Sequence, residues 1–600
     1  MFASIILLAK LPGNLDTLEY RVPEPLMGRL APGDFVVAPF RQNKLPGVVL
    51  EVYETSRLPH LDPAKIQPLW AKRSEYLPKT YLETLKLSAE YFAVNLSKLA
   101  YALIPAPPKK IKDEPLARAE SQPRLFGAGT DLEFGLDSSN PAEQLAYLET
   151  VIARAKSQAQ SALILVPTKS ELDYYKQQLP KKNLQILSEE LSGKALWDFW
   201  RAGLELRPRI LLTTRRGVLF PLPNLGQIVI MREEDQNHKQ YDMNPRYDSR
   251  RVAKILSTTL QTPIHSLSLA PRVTTRFGNP KAFWQQQAPR KAQISLIFSD
   301  TISADNLLVP GVEERLEKLA ETRQKFAIIT QISGASTLVF CPKCRQSLKC
   351  PHCDVPLKSI GVNVTCFYCG YRDFCPVFCP ECKSVKLSSS GLGSETLKNI
   401  LAAHFPDLEL AVMFGTAYEL MHDRKFQTEL LSVKTLFWLY PELALSSHEF
   451  TENERLFSEL RHGLRLLAPG SDLAIVTTAN LPIYEALATA ASEERFYQKL
   501  LEERAGSNYP PTGRLIKLIF QAVNASDANQ AALEAKNRLF GAPEIEILGP
   551  YEPYPKRVRM RFRSFLLLKG SPAAIQALKP KLKVLGDEIL IEVDPDRIFR

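Results

Sequence analysis

Between residues 341 and 382 the chain carries Cys341-Pro342-Lys343-Cys344, Cys350-Pro351-His352-Cys353, Cys366-Phe367-Tyr368-Cys369 and Cys379-Pro380-Glu381-Cys382. Each Cys-x-x-Cys places two sulfurs on one tight turn, and four such sulfurs suit a tetrahedral Zn2+ ion at about 2.3 Å. Eight ligands make two closed four-cysteine sites with no open position for a catalytic water, so two structural zinc ions are expected. Free core cysteines or redox pairs do not account for four such turns in so short a stretch. Cys375 is left over and reads as a bystander; His352 reads as exposed, because four sulfurs already fill the sphere. All nine cysteines lie in this block. Such clustering marks a metal module in a reducing compartment rather than the scattered bridges of a secreted protein. Chelation should unfold the block, since the metal's binding energy is folding energy there.

Outward from this block, 600 residues imply about four domains at roughly 150 residues each. The composition, 45% apolar and 24% charged, is that of a folded chain. A formal net charge of +11 points to a polyanionic partner, nucleic acid or an acidic surface. No apolar stretch approaches a membrane span, and Ile5-Ile6-Leu7-Leu8 lacks the basic flank and cleavage site of a signal peptide. Residues 1–107 begin with short strands around Pro32-Gly33-Asp34 and Pro46-Gly47 and continue into one amphipathic helix from Tyr81 to Leu103. Residues 108–141 read as a linker. From 142 to 310 the pattern becomes α/β, with strands expected at Ser161–Val166, Arg209–Thr214, Gln227–Met231 and His265–Leu269 in a parallel sheet. Residues 311–340 and 387–485 form a second mixed unit around the 341–386 metal block. Residues 486–600 read as a final α+β unit.

The cysteine spacing, Gly391-Leu392-Gly393-Ser394-Glu395 after it, Tyr509-Pro510-Pro511-x-Gly513-Arg514, Leu548-Gly549-Pro550, Val593-Asp594-Pro595 and Pro32-Gly33-Asp34-x-Val36-x-Ala38-Pro39-Phe40 together resemble the PriA family, the bacterial replication-restart proteins also called primosomal protein N′. The resemblance runs along nearly the whole chain. It implies a multidomain α/β protein: a β-rich N-terminal domain that holds DNA 3′ ends, two RecA-like helicase lobes with a two-zinc insertion, and an α+β C-terminal DNA-binding domain. It also implies nested zinc pairing, Cys341, Cys344, Cys379 and Cys382 on one ion and Cys350, Cys353, Cys366 and Cys369 on the other. The family's winged helix has no room between Lys110 and Pro141.

The departures fall on the engine. The family's phosphate loop ends in Gly-Lys-Thr, whose amides and lysine hold nucleotide phosphates. Here that region reads Gly135-Leu136-Asp137-Ser138-Ser139-Asn140-Pro141-Ala142-Glu143, and no lysine occurs from Asp113 to Ala155. The magnesium motif, Asp-Glu-Glu-His in the family, becomes Met231-Arg232-Glu233-Glu234, and a methionine does not ligate a hard cation. The Ser-Ala-Thr motif is Ser268-Leu269-Ala270, and the paired-arginine motif is reduced to Glu459-Leu460-Arg461-His462-Gly463. The second lobe is short between Gly391 and Gly415. The expectation is a degenerate helicase scaffold with no catalytic residues and no ATP.

The family's 3′-end pocket maps onto Leu18-Glu19-Tyr20, Arg41 and Lys65. Tyr20 would stack on a base, Glu19 would accept from a terminal hydroxyl and Lys65 would meet a phosphate, while Leu18 and Arg41 depart from the pattern. Near the other end, Lys556-Arg557-Val558-Arg559-Met560-Arg561-Phe562-Arg563 alternates strictly. As one strand it would set Arg557, Arg559, Arg561 and Arg563 on one face, a stripe suited to bidentate phosphate contacts. With about six phosphates contacted, affinity should fall about a thousandfold between 50 and 200 mM salt. The expected role is a cytoplasmic, nucleoid-associated, monomeric protein. It would bind stalled forks, 3′ ends and single strands, and with other primosome proteins reload the replicative helicase. An ATP-dependent 3′–5′ helicase, or a zinc-ribbon binder in repair or transcription, are the competing readings.

Overall fold

Runs of side chains buried on both faces decide where the central sheets form. Ser161–Leu165, Ile210–Thr213, Phe326–Thr330 and Thr435–Leu439 are buried at every position, the pattern of strands covered on both faces. The computed structural model of the chain describes all residues except 10, 12–14, 109–132, 137–140, 180–183, 206, 279–282, 285–291, 301–308, 331–336, 342, 345, 361, 367–368, 386, 391–393, 409–411, 446–448, 543, 584, 586–588 and 600.

The described residues form five sheets, two of them parallel. The N-terminal sheet is antiparallel, ordered Leu18–Arg21, Phe2–Leu7, Asn43–Tyr53, Asp34–Phe40, Ala71–Tyr76. The expected long helix after it is two, Lys79–Tyr91 and Leu96–Leu103. Ala93, at φ +51°, turns the chain between them.

The first parallel sheet runs Phe283–Trp284, Glu133–Leu136, Ile264–Leu267, Leu225–Ile230, Ser161–Leu165, Ile210–Thr213, Leu184–Ile186. The four expected strands are all present. The sheet also takes Glu133–Leu136, pairing it with Ile264–Leu267, so the reading of 108–141 as pure linker is corrected at its end. The second parallel sheet runs Gln293–Phe298, Asp472–Thr477, Thr435–Leu439, Phe326–Thr330, Val412–Thr416. Gln293–Phe298 pairs along its whole length with Asp472–Thr477, so the expected division at 310 falls one strand too late. Pairing across such a gap in sequence leaves no local signal.

A small antiparallel sheet carries the cysteine block, with Thr337–Phe340 and Ser388–Ser390 paired at its base. The C-terminal sheet is ordered Ile545–Tyr551, Arg561–Gly570, Arg514–Ala522, Leu590–Val593.

One apolar core joins the N-terminal sheet, the first parallel sheet and the C-terminal sheet. Phe35 sits edge-on to Trp197 and Trp200 at 5.4 and 5.3 Å, and those indoles stack at 5.0 Å. The second parallel sheet has its own cores on its two faces. Among the described residues no helix is long and apolar enough to cross a membrane.

Candidate functional site

The metal block repeats one local device. The first cysteine of each pair donates its amide to the carbonyl five residues on: Cys341 to Gln346, Cys350 to Val355, Cys366 to Tyr371 and Cys379 to Ser384. In three of the four turns the residue after the second cysteine, Asp354, Gly370 or Lys383, takes positive φ and donates to the first cysteine's carbonyl. This folds both sulfurs inward. Two quartets result: Cys341, Cys344, Cys379 and Cys382, and Cys350, Cys353, Cys366 and Cys369, with the sulfurs of each within 4.8 Å of one another. Sulfur pairs stand 3.5 Å (Cys341–Cys382), 3.7 Å (Cys344–Cys379) and 3.7 Å (Cys350–Cys369) apart. A tetrahedron of thiolates at about 2.3 Å from zinc has edges of about 3.8 Å, whereas a disulfide would need about 2.05 Å. The donor set therefore fits a four-sulfur metal. Cys375 belongs to neither quartet, its Sγ lying 4.0 Å from the Pro376 carbonyl.

A second concentration of charge lies between the two parallel sheets, outside the carboxyl ends of the strands of the first. Arg232 follows strand Leu225–Ile230 and is 2% exposed. Its Nη1 donates to Glu171 Oε1 at 2.7 Å and to the Met421 carbonyl, and its Nη2 lies 3.2 Å from Asp235 Oδ2. From the second sheet's side, Arg424 Nη2 reaches Glu171 Oε1 at 3.3 Å and Gln144 Oε1 at 3.1 Å. His422 Nδ1 lies 3.5 Å from Asp235 Oδ2. Burial would raise the Asp235 carboxyl, but Arg232 and His422 hold it below the usual range. Burial pushes Glu234 up to about 7 against the opposing pull of Arg232 and of the Ser268 hydroxyl, which donates to it at 2.6 Å. His462 is driven well below its ordinary value by burial and by Arg232 and Arg424. Arg461 is buried and ion-paired with Glu493. Asp137–Asn140 and Gly391–Gly393 lie outside the described residues.

The N-terminal pocket is partly corrected. Tyr20 is 4% exposed and packs in the core with Ala3, Ile5, Val36 and Val49. Its hydroxyl donates to the Pro39 carbonyl at 2.8 Å, so its ring does not offer a stacking face. Glu19 accepts from the Tyr53 hydroxyl at 2.7 Å, the Arg57 amide at 3.0 Å and the Ser56 hydroxyl. Partial burial opposes ionisation, and these donors outweigh it to lower the Glu19 carboxyl. Lys65 and Arg41 are exposed. An aromatic that does face solvent is Trp70, 60% exposed, with Lys44 Nζ 3.1 Å above its ring. The sequence reading missed this pair; its one signal was a tryptophan between Lys65 and Lys72.

The arginine stripe is not one strand. Arg557–Val558 and Arg561–Gly570 form a hairpin, pairing Arg557 with Phe562 and Val558 with Arg561. Arg559 and Met560, at φ +51° and +66°, make its turn. A period of two does not survive a turn, so the four arginines share no face. Arg557 is ion-paired with Asp354 at 2.7 Å and Arg563 donates to the Pro555 carbonyl, while Arg559 and Arg561 are exposed.

Comparison with known proteins finds two family domains. The PriA 3′ DNA-binding domain (3′BD) matches residues 6–105, and the primosomal protein N C-terminal domain matches residues 505–596. The chain is 26% identical over 538 residues to the replication restart protein PriA of Synechocystis, covering 79% of this chain and 63% of that protein. It is 23% identical over 636 residues to PriA of Helicobacter pylori strain J99, covering 99% of both. Among solved structures, RecG bound to a three-way DNA junction aligns over 72% of this chain and 53% of that one at 10% identity, with a TM-score of 0.33, a likeness too loose to carry an argument. One PriA family domain thus matches near each end of the chain, and similarity to replication restart proteins PriA runs between them.

Proposed function

We propose that the chain is a replication restart protein that binds stalled forks and helps reload the replicative helicase without turning over ATP. The family domains and the relatives' shared name support the restart role. The exposed Trp70–Lys44 pair supports a single-strand contact, because every base has a π-face to stack. The two parallel sheets are read as a helicase scaffold kept for shape, and the cysteine quartets as two zinc sites that hold the insertion folded.

One observation carries the loss of the motor. Nucleotide in such α/β units binds in the crevice outside the carboxyl ends of the strands, and there Arg232 is buried and bonded to Glu171, Asp235 and the Met421 carbonyl. On the family's pattern, Met231 stands where the reaction would need a metal carboxylate and Arg232 where it would need a water-activating acid.

The test is fork binding and phosphate release measured on one purified sample. The expected result is tighter binding to a fork than to plain single strands or to RNA, with phosphate release at the blank. DNA-stimulated release abolished by a point change between Ser138 and Glu143 overturns the reading in favour of an active helicase. Equal affinity for fork and RNA favours a zinc-ribbon binder of another role.

A further inference from the structure

The hairpin Arg557–Arg563 rests its turn on the inner cysteine quartet, two hundred residues away in the chain. Arg557 Nη2 donates to Asp354 Oδ1 and to the Pro351 carbonyl, both at 2.7 Å. The Met560 amide donates to the His352 carbonyl at 3.3 Å, and the Arg559 amide lies beside the Cys353 sulfur. Val558 packs against the apolar cluster that contains Cys350, Cys353 and Cys366. Pro351, His352 and Asp354 thus each receive a hydrogen bond from the C-terminal domain, on both sides of Cys353.

The turn itself needs this support. Two successive residues at positive φ suit Asn-Gly; here they are Arg559 and Met560, which adopt that backbone only where neighbours over-determine it. Chemistry favours the contact in return. Four thiolates on one Zn2+ leave a net negative site, and amide donors and a nearby guanidinium offset that charge and fix ligand orientation.

We propose that the hairpin is a clasp on the inner zinc site: the loaded metal shapes the knuckle that receives the turn, and the turn secures Cys353 and presents Arg559 and Arg561 to nucleic-acid phosphates. The clasp stands on the contacts alone; its use by DNA rests on the proposed function. Linkage makes the effect reciprocal, so phosphate binding at the turn tightens the metal.

The clasp is tested by zinc release from the full chain into a chromogenic chelator, comparing wild type with Arg557→Ala and Asp354→Asn. Asn keeps the left-handed backbone that Asp354 adopts at φ +58°, so the second variant stands if the first fails to fold. One of the two zinc equivalents should leave about tenfold faster in either variant, the other at the wild-type rate, and the double variant should add little. Both equivalents leaving at wild-type rates overturns the clasp. Its use by DNA is tested with Arg559→Ala/Arg561→Ala, by fork anisotropy across a salt series. These changes should lower the salt slope by about two, and stripping the inner zinc from wild type should lower it equally. Unchanged slopes overturn the coupling. A wild-type chain that binds no DNA overturns the proposed function while leaving the zinc result standing.

Discussion

At the scale of single residues, Arg232 is the centre of a buried ion cluster. Its guanidinium is surrounded by Glu171, Asp235 and Glu234 at 2.7, 3.2 and 3.8 Å, all with buried side chains. Removing one partner of a buried ion cluster leaves the others uncompensated, a loss of about 3–5 kcal/mol. Arg232→Met should therefore lower the urea midpoint by that equivalent with little change in slope, and should not create ATPase activity. A change under about 1 kcal/mol would mean the cluster is well solvated, contrary to its burial. Trp70 belongs to the same scale. Trp70→Ala should weaken binding to a short single-stranded oligonucleotide by about 1–3 kcal/mol and leave the salt slope intact, because a stacking face carries no charge. A steep loss of slope instead would assign the site to phosphate contact.

Among the elements of the described residues, the cysteine block is the one whose two sulfur quartets could hold metal ions. Its strands are short, three or four residues each, and its apolar cluster is built around the sulfurs themselves. Metal analysis should give two zinc ions per chain. Removing both should raise hydrogen exchange between residues 337 and 390 to that of an unfolded segment, while strands such as Ile210–Thr213 keep their protection. Global loss of protection on chelation would show that the block is not an independent unit. The hairpin Arg557–Arg563 is the counter-example to reading an element by period alone. Alternation in sequence marked a strand, yet the chain turns at its middle to meet Asp354 and His352.

Across the whole molecule, buried ion pairs fasten the C-terminal sheet to the first parallel sheet. Glu592 is 0% exposed and pairs with Lys517 at 3.2 Å, Lys239 at 3.2 Å and Arg246 at 2.8 Å. Burial alone would raise its carboxyl, but the three cations outweigh that and hold it well below the ordinary 4.5. A depressed folded value means the seam's contribution is complete above pH 4.5 and is lost as pH falls below it. Glu592→Gln should melt at a lower temperature than wild type near pH 7, with the gap narrowing toward pH 3. A gap that does not change with pH would show that this carboxylate is not what the seam titrates.

The cysteine turns, the parallel strands and the likeness to PriA proteins were legible in sequence, because each rests on local spacing: cysteines with two residues between them, apolar runs of four to six, motifs of a few residues; the pairing of the turns into quartets came only with the resemblance. The contacts of Arg232 were not, since its partners Glu171 and Met421 come from distant helices that only packing brings to one crevice. Tyr20 and Trp70 differ in exposure for the same reason: closing the N-terminal sheet buried one ring and left the other outside, and burial is a property of the fold rather than of the residue. Spacing along the chain determined which residues could hold a metal or a phosphate; tertiary structure decided which are free to, because long-range contacts between domains consume some charges and expose others.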